Sequence, residues 1–207
     1  MKLIIISSPS GGGKTSVCKK LIESPSSPVF GKAEFSVSAT TRAPRGGEVN
    51  GKEYFFISKE KFNEMIEKGE FLEHAEVFGN LYGTPINKIS NNLYTVFDID
   101  YQGAIQIKKK MPAVSIFLLP PSLKALEDRI KSRGDITPEQ MQIRISKAAF
   151  EIEQAKLYDY IVLNDDLEIA FQKVSNIITS EIIKDQTFLI KNMKTCKEIL
   201  DLINSKF

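Results

Sequence analysis

The run Ser8-Pro9-Ser10-Gly11-Gly12-Gly13-Lys14-Thr15 collects the residue types that hold a polyphosphate. Glycines let backbone N–H groups turn inward around phosphate oxygens. A helix opening at Lys14 would aim the positive end of its dipole at the same anion. Lys14 is placed to reach the outer phosphates, and the Thr15 hydroxyl to bind Mg²⁺. Ser16 continues the binding segment into that helix. The run keeps the Walker A spacing but has Ser8 where Gly is usual. Ser is small, so the change matters only where that position needs a positive φ. A chance glycine-rich turn is the plain alternative. The context argues against it, because an apolar run precedes the turn and a helical pattern follows.

Three further positions carry chemistry. Asp98 ends the apolar run Leu93 to Phe97, where a carboxylate can hold Mg²⁺ through water; a strand-end turn residue is the alternative. If the strand runs on, alternation puts Asp98 and Asp100 on one side. Arg42 and Arg45, three residues apart in a Gly/Pro loop, suit a phosphate dianion, since guanidinium forks match its oxygens. Otherwise they form a solvated basic turn. His74 has no Ser, Cys or metal partner in sequence reach and reads as incidental. Cys18 and Cys196 lack metal-ligand spacing and read as small hydrophobes.

These residues need elements to position them. Leu3 to Ile6 is a short, β-branched apolar run, typical of a strand buried on both faces. From Lys14 the pattern turns helical, with Val17, Cys18, Leu21 and Ile22 on one face. Leu93 to Phe97, Val114 to Leu119 and Tyr160 to Leu163 resemble the first strand, and helical patterns separate them. That alternation predicts a parallel α/β sheet flanked by helices. Residues 37–90 break the rhythm and predict a small α+β insertion. It carries alternating segments at Glu53 to Ile57 and Phe71 to Phe78, a short helix around Phe62, Met65 and Ile66, and a tight turn at Asn50-Gly51. Residues 122–157 are charged and helical, broken at Ser132-Arg133-Gly134-Asp135. Thr137 as N-cap, Pro138 in the first turn and Gln140 at the capping-box position restart the helix, and the pair suits a lid. Two amphipathic faces close the chain: Leu167 to Ile178, then Cys196, Ile199, Leu200, Ile203 and Phe207. Both are expected to pack on the core, the alternative being a helix that binds a partner's groove.

The 207 residues and 42% hydrophobic content suffice for one compact unit without staples. A net charge of +2 and a pI near 8.4 argue against a dedicated nucleic-acid binder, so any anion site must be local. The first apolar run is too short for a signal-peptide core, and no stretch is long enough to span a membrane. Cytoplasmic residence is the default expectation. The sequence assigns no oligomeric state.

Five blocks together resemble guanylate kinases: Ser36 to Tyr54, Phe71-Leu72-Glu73, Gly79 to Thr84, Asp98 to Gly103, and Asn164-Asp165-Asp166. The likeness runs from about residue 1 to 183, in the family's order. It implies a P-loop NTPase core with a small acceptor-binding insertion and a helical lid, in a single domain. The core would be 1–36, 91–125 and 151–207, the GMP-binding insertion 37–90 and the lid 126–150. It implies transfer of phosphate from ATP to GMP, and to dGMP, with Mg²⁺ accompanying ATP and no nucleic-acid or membrane partner. Arg42, Arg45, Tyr54 and Tyr82 would hold the GMP phosphate. Ser38, Glu73, Thr84 and Asp100 would surround guanine. Lys14, Arg45, Arg133 and Arg144 would meet the transferring group, and Asn164 and Asp165 would lie near the adenine. Thr84 stands where relatives often have Ser, and either hydroxyl makes the same bond.

Elementary chemistry agrees with that assignment. Guanine offers N1–H and N2–H₂ donors, which an ionised Glu or Asp accepts and adenine cannot supply. A different small-molecule kinase of the same core would not need Glu73 and Asp100 facing a base. A non-catalytic binding module would have lost the phosphate-loop chemistry, whereas Lys14, Thr15, Asp98, Arg133 and Arg144 are all present.

Overall fold

The computed structural model describes residues 2–89, 93–132 and 137–184. The expected face from Cys196 to Phe207, and Arg133 with its neighbours Gly134 and Asp135, lie outside the described residues.

The first strand, β1 (Lys2–Ser7), runs through the middle of a five-stranded sheet. Its neighbours are β7 (Tyr94–Asp98) and β8 (Ala113–Leu119), both parallel to it. β2 (Ala33–Phe35) and β9 (Tyr160–Leu163) form the edges. Strand alternation explains why β1 is apolar throughout. Ile4 and Ile6 join one cluster with Val17, Cys18 and Leu21 of α1 (Lys14–Glu23) and with Phe171 and Val174 of α6, the helix over residues 167–184. Leu3 and Ile5 join the opposite cluster with Phe97 and with Ala104 and Ile107 of α3 (Tyr101–Lys110). Both faces are covered, so no polar face remains for a period-2 pattern to mark. Truncating a fully buried residue such as Ile5 would cost about 2–5 kcal/mol.

Residues 39–85 build a second, four-stranded sheet in the order β4 (Phe55–Phe56), β3 (Ala39–Thr40), β6 (Asn80–Pro85), β5 (Phe71–Val77). Its helix, α2 (Lys59–Glu67), buries Phe62 against Phe71, with ring centroids 4.4 Å apart. The Asn50-Gly51 turn forms as expected: Lys52 N–H donates to Val49 O, and Gly51 takes φ +84°. The segment Glu53 to Ile57 yields a strand only at Phe55–Phe56, because Tyr54 already closes the preceding turn onto Gly51 N–H.

The charged stretch forms α4 (Leu123–Lys131) and α5 (Pro138–Glu153), slightly wider than the expected 126–150. Thr137 caps α5 in a full capping box with Gln140, and Pro138 sits in the first turn. Leu126, Ile130 and Ala148 pack these two helices on each other. Among the described residues, no helix is long and apolar enough to cross a membrane.

Candidate functional site

The glycine turn follows the carboxyl end of β1, in the crevice where parallel α/β sheets bind ligands. Gly11 and Gly13 both take φ +85°. A Cβ on Gly12 would stand 2.5 Å from Ser8 Cβ and 2.9 Å from Pro9 O, so that glycine is required by space. Gly12 N–H donates to Pro9 O at 2.8 Å, and buried Asn164 donates its Nδ2–H to Gly12 O at 2.6 Å. Gly13 is the N-cap of α1 and supplies no side-chain cap, which leaves the first-turn amides open to an anion. Ser8 is not among the positive-φ residues, so it fills its position without strain.

β7 delivers Asp98 beside Ile6 in register, one residue from the start of the turn. Thr15 donates its hydroxyl to Asp98 Oδ2 at 2.5 Å. Lys14 Nζ lies 3.3 Å from Asp98 Oδ1, an ion-pair contact that misses hydrogen-bond geometry and leaves this buried oxygen without a donor. A hydroxyl and a carboxylate with an unfilled oxygen form a hard-oxygen pair that suits Mg²⁺, which keeps waters and phosphate oxygens as its other ligands.

The expectation for Asp98-Ile99-Asp100 is corrected. The strand stops at Asp98, and Asp100 is the N-cap of α3, accepting from Gln102 N–H and Gly103 N–H. Local side-chain capping outcompetes strand extension here.

On the second sheet a register shift between Phe71 and Glu73 re-aims β5. Leu72 joins the core cluster around Ile5, while Glu73, only 3% exposed, meets Thr84 of β6. Thr84 Oγ1 donates to Glu73 Oε1 at 2.6 Å, and Ser38 Oγ lies 3.5 Å from Thr84 Oγ1. A Cβ on Gly103 would run into Glu73 Oε2, so α3 also closes on this carboxylate. Burial pushes Glu73 up to about 7, against the Thr84 hydroxyl and with help from the Asp100 charge. Ser38, Glu73, Thr84 and Asp100 thus form one cluster.

A second cluster surrounds Arg42. Its guanidinium donates to Glu48 Oε1 at 2.9 Å and stacks near Tyr54 and Phe56, 5.5 and 5.7 Å from their centroids. Glu48 Oε2 accepts from Arg45 N–H at 2.7 Å. Tyr54 and Tyr82 meet edge to face at 5.8 Å. Burial raises the Tyr54 hydroxyl, Asp98 raises it further, and Lys14 opposes them. This cluster therefore lies within electrostatic reach of the phosphate loop.

The Asn164 amide is committed to the loop, and Asp165 offers its carbonyl to Arg129. Arg144, on α5, stands over the Phe78 ring at 5.7 Å.

Three residues escaped the sequence reading. Glu48 holds the Arg42 guanidinium and the Arg45 backbone N–H; the signal was a lone acid three residues after Arg45 in a basic loop. Arg129 donates Nη2–H to Asn164 O and Asp165 O at 3.1 and 3.2 Å, and its buried Nη1 has no partner. Glu151 is buried near the loop with Oε2 unpaired, and burial raises its carboxyl; Lys147 and Lys14 lower it, and Asp100 adds to the rise. Arg129 and Glu151 sit on helices whose apolar spacing explains their neighbours, so sequence alone hides them.

The sequence profile of the guanylate kinase family matches residues 1–181. A guanylate kinase of Clostridioides difficile is 46% identical over 196 residues, 92% of each chain. One from Haemophilus influenzae is 50% identical over 185 residues, covering 86% of this chain and 88% of the other. The crystal structure of guanylate kinase from Anaplasma phagocytophilum superposes with a TM-score of 0.70 at 36% identity, over 87% of this chain and 86% of that one.

Proposed function

Because the chain belongs to the guanylate kinase family, it is an ATP:GMP phosphotransferase, and we propose that the clusters above divide the work of that reaction. Residues 8–16 cradle the ATP phosphates, and Asn164, Asp165 and Arg129 brace the loop toward the adenosine side. Arg42, Arg45, Tyr54 and Tyr82 grip the GMP phosphate. Glu73, Ser38, Thr84 and Asp100 read guanine. One domain carries all of this, with residues 37–90 serving the acceptor and the α4–α5 pair serving as lid.

The observation that carries this reading is the short path from Asp98, which meets Lys14 and Thr15 at the phosphate loop, to Asp100 two residues on, the N-cap of α3, whose first turn closes on Glu73 of the acceptor sheet. The donor loop and the acceptor sheet thus meet at the start of α3, and the reaction in this reading is a direct in-line transfer. The charged oxygens of the γ-phosphoryl group and the GMP phosphate repel as they approach, so Lys14, Arg45, Arg133 and Arg144 converge to neutralise them. Thr15, with Asp98 through water, would hold Mg²⁺, whose chemistry is to offset charge on the β- and γ-phosphate oxygens. Glu48 keeps the Arg42 guanidinium oriented before GMP arrives and ties down the Arg45 backbone, which lowers the ordering cost at binding. dGMP is a second acceptor in this scheme, since the assigned residues address base and phosphate. The family's substrates and the free buried Cys18 fit a cytoplasmic enzyme.

The test is ADP production from ATP with GMP, AMP, CMP and UMP compared. A strong preference for GMP is expected. Equal turnover of AMP, or none of the four, would refute the division of roles.

A further inference from the structure

The turn joining β5 to β6 is built from Phe78 and Gly79, with φ +51° and +77° and Val77 paired to Asn80. A two-residue turn with both φ positive normally takes Asn, Asp or Gly first. Phe78 is the non-glycine residue with positive φ among the described residues, so its backbone is strained. Burial does not offset that strain, because the ring is 43% exposed and belongs to no apolar cluster. What the ring does meet is α5. Lys147 Nζ lies 4.4 Å from its centroid and Arg144 Cζ 5.7 Å. These two cations are one helical turn apart and share a face.

We propose that Phe78 is a positioning residue for phosphoryl transfer, docking α5 on the acceptor sheet so that Arg144 is presented to the cleft. The proposal rests on the reading of Arg144 as a transfer arginine. An aromatic face suits the task better than an acid. A carboxylate at position 78 would pair with the guanidinium and occupy its N–H donors. A ring holds the guanidinium by its plane and leaves the N–H edge for phosphate oxygens. Lys147, closer to the ring, supplies the steadier of the two contacts and keeps α5 docked when Arg144 turns to the phosphoryl group. Acceptor binding and lid placement are thereby joined at a single side chain.

The turn itself supplies the means of testing this. Phe78→Asn suits the turn better than the native residue but removes the ring. Phe78→Tyr keeps the ring. The thermal midpoint, kcat, and KM for GMP and ATP are measured for both, for Arg144→Ala, and for the Phe78→Asn/Arg144→Ala pair. The expected result is an unchanged or higher midpoint for Phe78→Asn with kcat down about 10-fold, the size of a well-placed cation–π contact, and an unchanged KM for ATP. Phe78→Tyr should stay within about two-fold of the native kcat, and the paired variant should be no slower than Arg144→Ala alone. Native kcat in Phe78→Asn, an equal loss in Phe78→Tyr, or losses that multiply in the pair would each overturn the proposal. Native kcat in Arg144→Ala would instead overturn the role of Arg144 on which it rests, whatever the Phe78 variants do.

Discussion

Thr84 donates its hydroxyl to Glu73 Oε1 at 2.6 Å, inside a site where Glu73 is 3% exposed. That bond fixes one carboxylate oxygen and leaves Oε2 against the start of α3, near Asp100.

Glu73→Gln tests base reading. The amide keeps the acceptor facing Thr84 but puts an NH₂ donor toward guanine's donors. GMP kcat/KM should fall about 100-fold, or roughly 3 kcal/mol, while ATP affinity holds. AMP should gain little, because the proposed role of Asp100 still disfavours adenine. An unchanged GMP/AMP ratio would mean that Glu73 does not read the base.

The Glu73 value of about 7 makes a pH prediction. In the proposed role the ionised form accepts from guanine, so KM for GMP should rise as pH falls from 8 to 6. The GMP phosphate also titrates near pH 6, and Glu73→Gln isolates that contribution. For stability, the folded value lies above the reference of 4.5, so the protein binds this proton more tightly when folded. Relative to the neutral amide, the penalty is absent below about pH 4.5, grows toward pH 7 and is level above it. At pH 8 Glu73→Gln should therefore be more stable than the native chain, by up to about 3 kcal/mol. That gain should vanish near pH 4.5 in denaturant titrations.

Lys14→Ala should lose turnover by about 10³-fold or more, since its charge acts where phosphate charge gathers. Asp98 keeps its bond from Thr15, so the fold should hold. The thermal midpoint should be near native without nucleotide, and its rise with ATP should shrink or disappear. Near-native turnover would refute the role.

Gly12→Ala should disable the loop, because the new methyl meets Ser8 and the Pro9 carbonyl. Loss of ATP-dependent stabilisation is expected, with a drop in the thermal midpoint. Gly46→Ala is the control: nothing lies within 4 Å of its Cβ position, and activity should be native. Equal behaviour of the two variants would sink the packing argument.

The phosphate loop was legible because its chemistry is local: glycines, Lys14 and Thr15 are consecutive and flanked by unambiguous patterns. The Thr137 capping box was legible for the same reason. Asp100 was misplaced because alternation and helix capping compete over two residues, and only the start of α3 decides between them. The sequence does not mark β3 or β6 as strands. Two residues at β3 carry no period, and the β5–β6 turn uses Phe78 where an Asn would have signalled a hairpin. Arg129 and Glu151 acquire their meaning from what the fold brings to them, which no spacing encodes.

The bond from Asn164 to Gly12 spans 152 positions. During synthesis the glycine turn leaves the ribosome long before its clamp does. A nascent chain ending short of residue 164 carries every phosphate-gripping residue of the loop but lacks the amide that sets Gly12. Nucleotide binding should therefore arrive late and abruptly, after β9 joins the sheet edge, rather than growing with chain length. Ribosome-stalled chains of increasing length, probed for ATP protection of the loop against protease, would show that step. Gradual protection from much shorter lengths would contradict it.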